Sequence, residues 1–186
     1  MLSKKALKRQ NIAKSCCNMF IANNLDKISV SSIAKEANIG KGTIYEYFTN
    51  KEDIVFELMS CLQEEYDKRF HTNLLNATNN YEKILALFEI FLSNNEIIIM
   101  QREIYRKFLI ICLTNPTATI KIYNSNLRDK YISILDDIIQ NRYISTKIYD
   151  SIIGFFIASN SVNDYNLEDN IKTFLKNELQ QIGKDI

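Results

Sequence analysis

Apolar residues recur at steps of three and four along almost the whole chain, and no stretch alternates with the period of two that a half-buried strand requires. Leu7, Ile12, Cys16, Met19, Phe20 and Asn23 share one stripe over residues 4–23. Ile54, Leu58, Cys61, Leu62, Tyr66 and Phe70 share another over residues 51–74, a helix of roughly 30 Å or more. Only four glycines and one proline interrupt 186 residues, so long helices joined by short turns are the expected plan. The fold class is all-α. Further helices are predicted over 29–37, 41–48, 81–95, 97–114, 118–141, about 145–161 and about 167–182. The polar run 76–80 breaks the chain, and Asn-Pro-Thr at 115–117 marks its only proline turn. Asn24 and Asn38 stand where helices should stop in a left-handed residue. Ser29 is placed to cap a helix, and Thr49 with Glu52 has capping-box spacing.

Several function classes are disfavoured. No apolar run reaches the ~18 residues of a membrane span, and the longest candidate is broken by Arg102, Arg106 and Lys107. The basic start lacks an apolar core behind it, so no secretion signal is expected and the protein reads as cytoplasmic. Cys16, Cys17, Cys61 and Cys112 form no Cys-x-x-Cys pair, and His71 is the single histidine. No metal or cofactor is therefore expected, and the cysteines read as reduced core residues. His71 reads as a surface or helix-end residue. No nucleophile–base pair or carboxylate pair is evident, so the chain does not read as an enzyme.

Charge is distributed unevenly. Residues 1–55 hold nine Lys/Arg against five Asp/Glu, a net +4, and the remainder holds 14 against 17, a net −3. A basic first third suits a polyanion. Within it, two short helices at 29–37 and 41–48 are separated by a tight turn, the arrangement of a helix-turn-helix whose second helix enters the major groove. On a wheel of residues 41–48, Ile44 and Phe48 fall together as core, with Tyr47 at their edge. Gly42, Tyr45 and Glu46 face outward, with Lys41 and Thr43 at the margins. Gly42 admits a duplex without a Cβ in the way. Lys41 and Lys51 offer charge, and tyrosine hydroxyls bond phosphate oxygens. Tyr47 suits packing or DNA equally. Gly-Lys-Gly-Thr is not a phosphate-binding loop, because Lys35 stands where that motif needs its first glycine and Gly42 follows Lys41.

The order of these residues resembles the TetR family of bacterial transcription regulators. The resemblance is carried by Ile12, Ala13, Cys16, Cys17, Phe20, Asn24, Ser29, Val30, Ile33 and Ala34, then by the unbroken run from Ala37 to Phe48, then by Lys51 and Glu52. It covers about 45 residues; the remainder is similar only in its plan of helices. It implies an N-terminal three-helix DNA-binding domain, residues 1–50, joined by a long helix to a helical-bundle domain for ligand binding and dimerisation, residues 51–186. It implies a homodimeric repressor that binds a (pseudo)palindromic operator in double-stranded DNA and is released by a small molecule. DNA contacts are implied for Lys41, Gly42, Thr43, Tyr45, Tyr47 and Lys51, with Ser29 and Ser31 from the preceding helix. Asn24 and Asn38 depart from the family's usual glycines, Gly40 replaces a usual hydroxyl cap, and Glu46 places a carboxylate on the groove side. Glu46 can accept from cytosine N4, or face solvent or Lys41 at some loss of affinity.

The last two predicted helices offer a dimer surface. Ile148, Ile152, Phe155, Phe156 and Ser159 lie on one, beside Gly154 and Ala158. Leu167, Ile171, Phe174, Leu175, Leu179 and Ile182 lie on the other. Their pairing across a two-fold axis would form a four-helix bundle. Phe88, Phe91, Met100, Tyr105, Phe108, Cys112 and Tyr123 are the candidates to line an apolar ligand pocket.

Overall fold

The structure is a computed structural model, and it describes residues 3–114 and 117–183. The turn expected at 115–117 lies outside these residues save for Thr117. Among the described residues there are eleven α-helices, one 3-10 turn and no strand. They run α1 Lys4–Ser15, α2 Cys17–Ala22, the 3-10 turn Leu25–Lys27, α3 Val30–Glu36, α4 Lys41–Tyr47, α5 Lys51–Asn76, α6 Asn80–Leu87, α7 Glu89–Leu92, α8 Glu96–Thr114, α9 Ala118–Ile139, α10 Arg142–Ala158 and α11 Leu167–Gln181.

Contacts divide the chain into two compact units, one of Met1–Asp67 with Asn95–Ile120 and one of Lys68–Asn94 with Lys121–Ile186. The first holds α1 to α4, the greater part of α5, and α8. Its core is built from Ile12, Ala13, Cys16 and Phe20, Ile33 and Ala34, Ile44 and Phe48, and Ile54, Val55 and Leu58, all buried. The second holds α6, α7, most of α9, α10 and α11. Tilted aromatic pairs run through its core: Phe91 lies 4.8 Å from Phe156, Phe88 lies 6.3 Å from Tyr131, and Tyr131 lies 6.0 Å from Tyr149, centroid to centroid. Such pairs add to the burial of their area.

Two helices expected to be continuous are broken. Residues 4–23 divide at Cys16, whose N–H bonds back only three residues, to Ala13. The Ser15 hydroxyl donates to the Ile12 carbonyl at 2.8 Å, the local side-chain bond that bends helices. Leu7, placed on the expected stripe, is exposed. Residues 81–95 divide at Phe88, where φ is −113° and ψ 21°. The cap of α5 also differs from the expected Thr49–Glu52 box. Asn50 Oδ1 accepts from the Asp53 N–H at 2.8 Å, and Asp53 Oδ2 accepts from the Thr49 N–H at 3.1 Å. Asn24 is extended rather than left-handed, at φ −70° and ψ 142°.

The thiols are free. Burial pushes Cys61 and Cys112 up to about 11, so both stay protonated and unreactive at neutral pH. His71 is exposed on α5.

Candidate nucleic-acid interface

The site is built on the turn between α3 and α4. Ser29 caps α3: its hydroxyl accepts from the Ser32 N–H at 3.0 Å, and Ser32 Oγ accepts from the Ser29 N–H at 3.1 Å. At the other end the Ile39 N–H donates to the Ala34 carbonyl at 3.0 Å and the Asn38 N–H to the Lys35 carbonyl at 3.1 Å. These are the two bonds of a Schellman stop, and Asn38 supplies its left-handed residue at φ 52°. The chain then enters α4 through Gly40, which is extended and offers no side-chain cap.

A helix of seven residues has little stability of its own, so packing must hold α4 in place. Ile44 is its buried residue, and Phe48, which ends it, is buried beside it. The opposite face is open. Lys41, Gly42, Tyr45 and Glu46 are exposed, and Thr43 and Tyr47 are half-buried. Tyr45 keeps 55% of its surface exposed, high for a phenol. A Cβ built on Gly42 would meet nothing within 4 Å. Glycine inside a helix costs about 1 kcal/mol relative to alanine, and the fold offers no internal reason for it here.

Ser29 and Ser31 are exposed at the start of α3. Lys51 is more engaged than its sequence position suggests. Its Nζ donates to the Leu25 carbonyl at 2.6 Å and to the Ile28 carbonyl at 3.3 Å, tying the 3-10 turn to the first turn of α5. Lys41→Ala is therefore expected to flatten the slope of log K against log salt by about one unit, as a lost phosphate contact should. Lys51→Ala should flatten it less and lower stability by about 1.5–3 kcal/mol, the worth of a charged hydrogen bond. Salt titrations of duplex binding paired with denaturant unfolding separate the two effects.

Arg9 is a positioning residue that sequence reasoning counted only as charge. Its Nε donates to Glu57 Oε2 at 2.9 Å, its Nη1 donates to the Tyr47 carbonyl, and its guanidinium lies 4.3 Å from the Phe48 ring centroid. One side chain thus joins α1, α5 and the end of α4. No periodicity signals it, because each of its three partners is distant in sequence.

The other candidates are placed as follows. Phe88 and Phe91 are buried and Tyr123 half-buried in the second unit; Tyr105 and Phe108 are buried and Met100 and Cys112 half-buried in the first. Phe88 and Phe91 stack at 6.3 Å, and Tyr105 and Phe108 lie 6.5 Å apart. On α10 and α11, Ile148, Ile152, Phe156, Ile171, Leu175 and Leu179 are buried within one chain. Phe155, Ser159 and Phe174 are half-buried, with Gly154 exposed beside them.

A short capped helix, a Schellman turn and a second helix with one packed and one open face form the DNA-reading head of a helix-turn-helix transcriptional regulator. Residues 12–58 match the family model described as bacterial regulatory proteins, tetR family. This segment is that of a TetR-family DNA-binding domain, and the proteins to which the chain is similar are transcriptional regulators rather than enzymes. The chain is 26% identical over 156 residues to the fatty acid metabolism regulator protein of Bacillus subtilis (strain 168), an alignment covering 81% of this chain and 76% of that one. In fold it is similar to a transcriptional regulator from Rhodococcus sp. Rha1, with a TM-score of 0.75 at 15% identity, over 96% of this chain and 98% of that one. It is also similar to the multidrug binding protein EbrR, with a TM-score of 0.71 at 14% identity, over 92% and 94% of the two chains. No helix among the described residues is long and apolar enough to cross a membrane.

Proposed function

We propose that this protein is a ligand-responsive repressor that acts in the cytoplasm and binds a (pseudo)palindromic operator as a homodimer. The observation that carries the DNA-facing part is the open side of α4, where exposed Lys41, Gly42 and Tyr45 stand opposite buried Ile44. Lys41 and Tyr45 meet phosphates and base edges, Thr43 and Tyr47 flank them, Ser29 and Ser31 contribute from α3, and Lys51 both braces the head and lies near the backbone. A single head reads a short half-site, so useful affinity calls for two. The half-buried Phe155, Ser159 and Phe174, next to exposed Gly154, are the surface through which a second copy would extend the buried apolar side of α10 and α11. Residues 1–50 serve as the DNA-binding domain and 51–186 as the ligand-binding and dimerisation domain.

The released state would follow from a small, largely apolar ligand. The apolar lining candidates are Phe88, Phe91, Met100, Tyr105, Phe108, Cys112 and Tyr123. The similarity to a fatty acid metabolism regulator protein is in keeping with an apolar effector class. The chain of α5 belongs to both units, so a ligand that prefers one setting of this helix alters operator affinity; a coupling of ~1–3 kcal/mol changes it roughly 5–150-fold.

Selection of bound duplexes from a random pool tests the reading. A recovered consensus with two inverted half-sites about one helical turn apart is the expected result. Recovery of no consensus, together with binding indifferent to salt, would remove DNA from the account and leave a helical module that uses its head on protein.

A further inference from the structure

We propose that Lys107 of α8 is a positioning residue for DNA binding: through Asn24 it holds the 3-10 turn that delivers the chain to α3, and it does so without touching the duplex. The proposal rests on the DNA-binding reading and adds a support from a helix outside residues 1–50. Lys107 Nζ donates to Asn24 Oδ1 at 3.4 Å, across 83 residues of sequence. Asn24 stands at the N-cap of the 3-10 turn, where a side-chain oxygen ordinarily accepts from an N–H of its own helix. Asn79, Asn141 and Asn166 all do this at the starts of α6, α10 and α11. Asn24 makes no such cap, and its oxygen is turned to Lys107 instead.

The turn has little else to hold it. None of Leu25, Asp26 and Lys27 is buried. A cavity of about 390 Å³ opens beside it, with Leu25 on one side and Ile110 and Ile111 of α8 among its other walls. Apolar packing therefore does not press the turn onto α8. A segment with few buried apolar contacts opens at low cost unless polar bonds fix it. The bonds from Lys27 N–H to Asn24 and from Ile28 N–H to Leu25 shape the turn from within but anchor it to nothing. Two lysines supply the anchors. Lys51, from α5, donates to the Leu25 and Ile28 carbonyls. Lys107, from α8, takes the other end of the turn at Asn24.

What the turn carries is the reading head. Ile28, which ends it, is buried, and Ser29, the cap of α3, follows at once. A shift of the turn therefore shifts the start of α3, and with it the helix pair that meets the groove. Lys107 springs from a fixed base, because α8 packs on α2 and lies in the same compact unit as the head.

The test measures affinity for a duplex recovered from the random pool, at several salt concentrations, beside the unfolding midpoint and hydrogen exchange. Lys107→Ala should bind roughly three- to tenfold weaker, the worth of one hydrogen bond. Its log–log salt slope and unfolding midpoint should stay near wild type, and exchange at residues 25–29 should quicken. Asn24→Ala should weaken binding alike, the double variant should be no weaker than either single one, and Lys107→Arg should restore most of the loss. Lys121→Ala, which removes a charge from an exposed site on α9, should change nothing. A slope flattened by about one unit in Lys107→Ala overturns the proposal by making this lysine a phosphate contact. Additive losses in the double variant, or wild-type affinity in Lys107→Ala, overturn it as well and leave the helix-turn-helix reading standing. Wild-type protein that binds no duplex overturns that reading, while unchanged exchange at residues 25–29 in Lys107→Ala overturns the tie itself.

Discussion

Ile44→Ala is expected to lower the stability of the first unit by about 2–5 kcal/mol and to abolish operator binding. Ile44 is 1% exposed and is the buried anchor of a seven-residue helix that contains a glycine and lacks a side-chain cap. Truncation removes apolar burial and leaves a cavity where α4 meets α3. The loss is a large part of a typical total of ~5–15 kcal/mol. It should fall first on α4, through local opening, before the rest of the unit yields. Hydrogen exchange should therefore show lost protection at residues 44–48 under conditions where α5 remains protected. Tyr45→Ala provides the contrast: with 55% of its surface exposed, Tyr45 should give up DNA affinity while leaving the unfolding midpoint nearly unchanged. An Ile44→Ala protein with wild-type unfolding and wild-type duplex affinity would show that α4 is held by something other than its packed face.

On the homodimer proposed above, Phe155→Glu combined with Phe174→Glu should convert the dimer into a monomer. The two rings meet edge to face at 5.4 Å and 81°, and both remain half-exposed in a single chain. Because Ile148, Ile152, Phe156, Ile171 and Leu175 already fill the core beneath them, the charged pair should leave the fold of the second unit intact. Sedimentation should report the halved mass, and circular dichroism the retained helix. Losing the second head forfeits the effective concentration that a linked pair supplies, so operator affinity should fall on the order of 10²–10⁴-fold. Ile157→Glu, at a residue 44% exposed on the same helix, gives a milder version of the test. Dimers that survive both variants would place the two-fold surface elsewhere.

The parts of this protein most legible in its sequence are those whose physics is local. The stripe of Ile54, Leu58, Tyr66 and Phe70 predicts α5, and all four are buried. The Ser29 cap, the left-handed Asn38 and the division of α4 into a packed and an open face likewise follow from neighbours within a few residues. Asn24 and Asn38 show where that reading ends. Both asparagines follow helices, but only Asn38 stands in a chain that folds back at once to satisfy the last carbonyls of α3; after α2 the backbone runs out extended toward the 3-10 turn. The break at Cys16 was hidden because one hydroxyl bond to a carbonyl leaves no trace in hydrophobic period. Lys51 and Arg9 were read as charges, since carbonyl acceptors 23 and 38 residues away are invisible to spacing. On α10 the apolar residues look alike in sequence, and only the packed chain separates buried Ile152 from half-exposed Phe155.

Gly40 enters α4 with φ −69° and ψ 147°, a conformation open to any L-residue, and a Cβ there would come no nearer than 3.8 Å to Thr43 Oγ1. A serine would fit without strain and would supply both a cap and a hydroxyl for the duplex. The protein is thus one substitution short of a firmer grip at the centre of its reading head. Under the ligand-released repressor proposed above, such slack is an adjustable setting, and tighter relatives arise from it without any change to the fold.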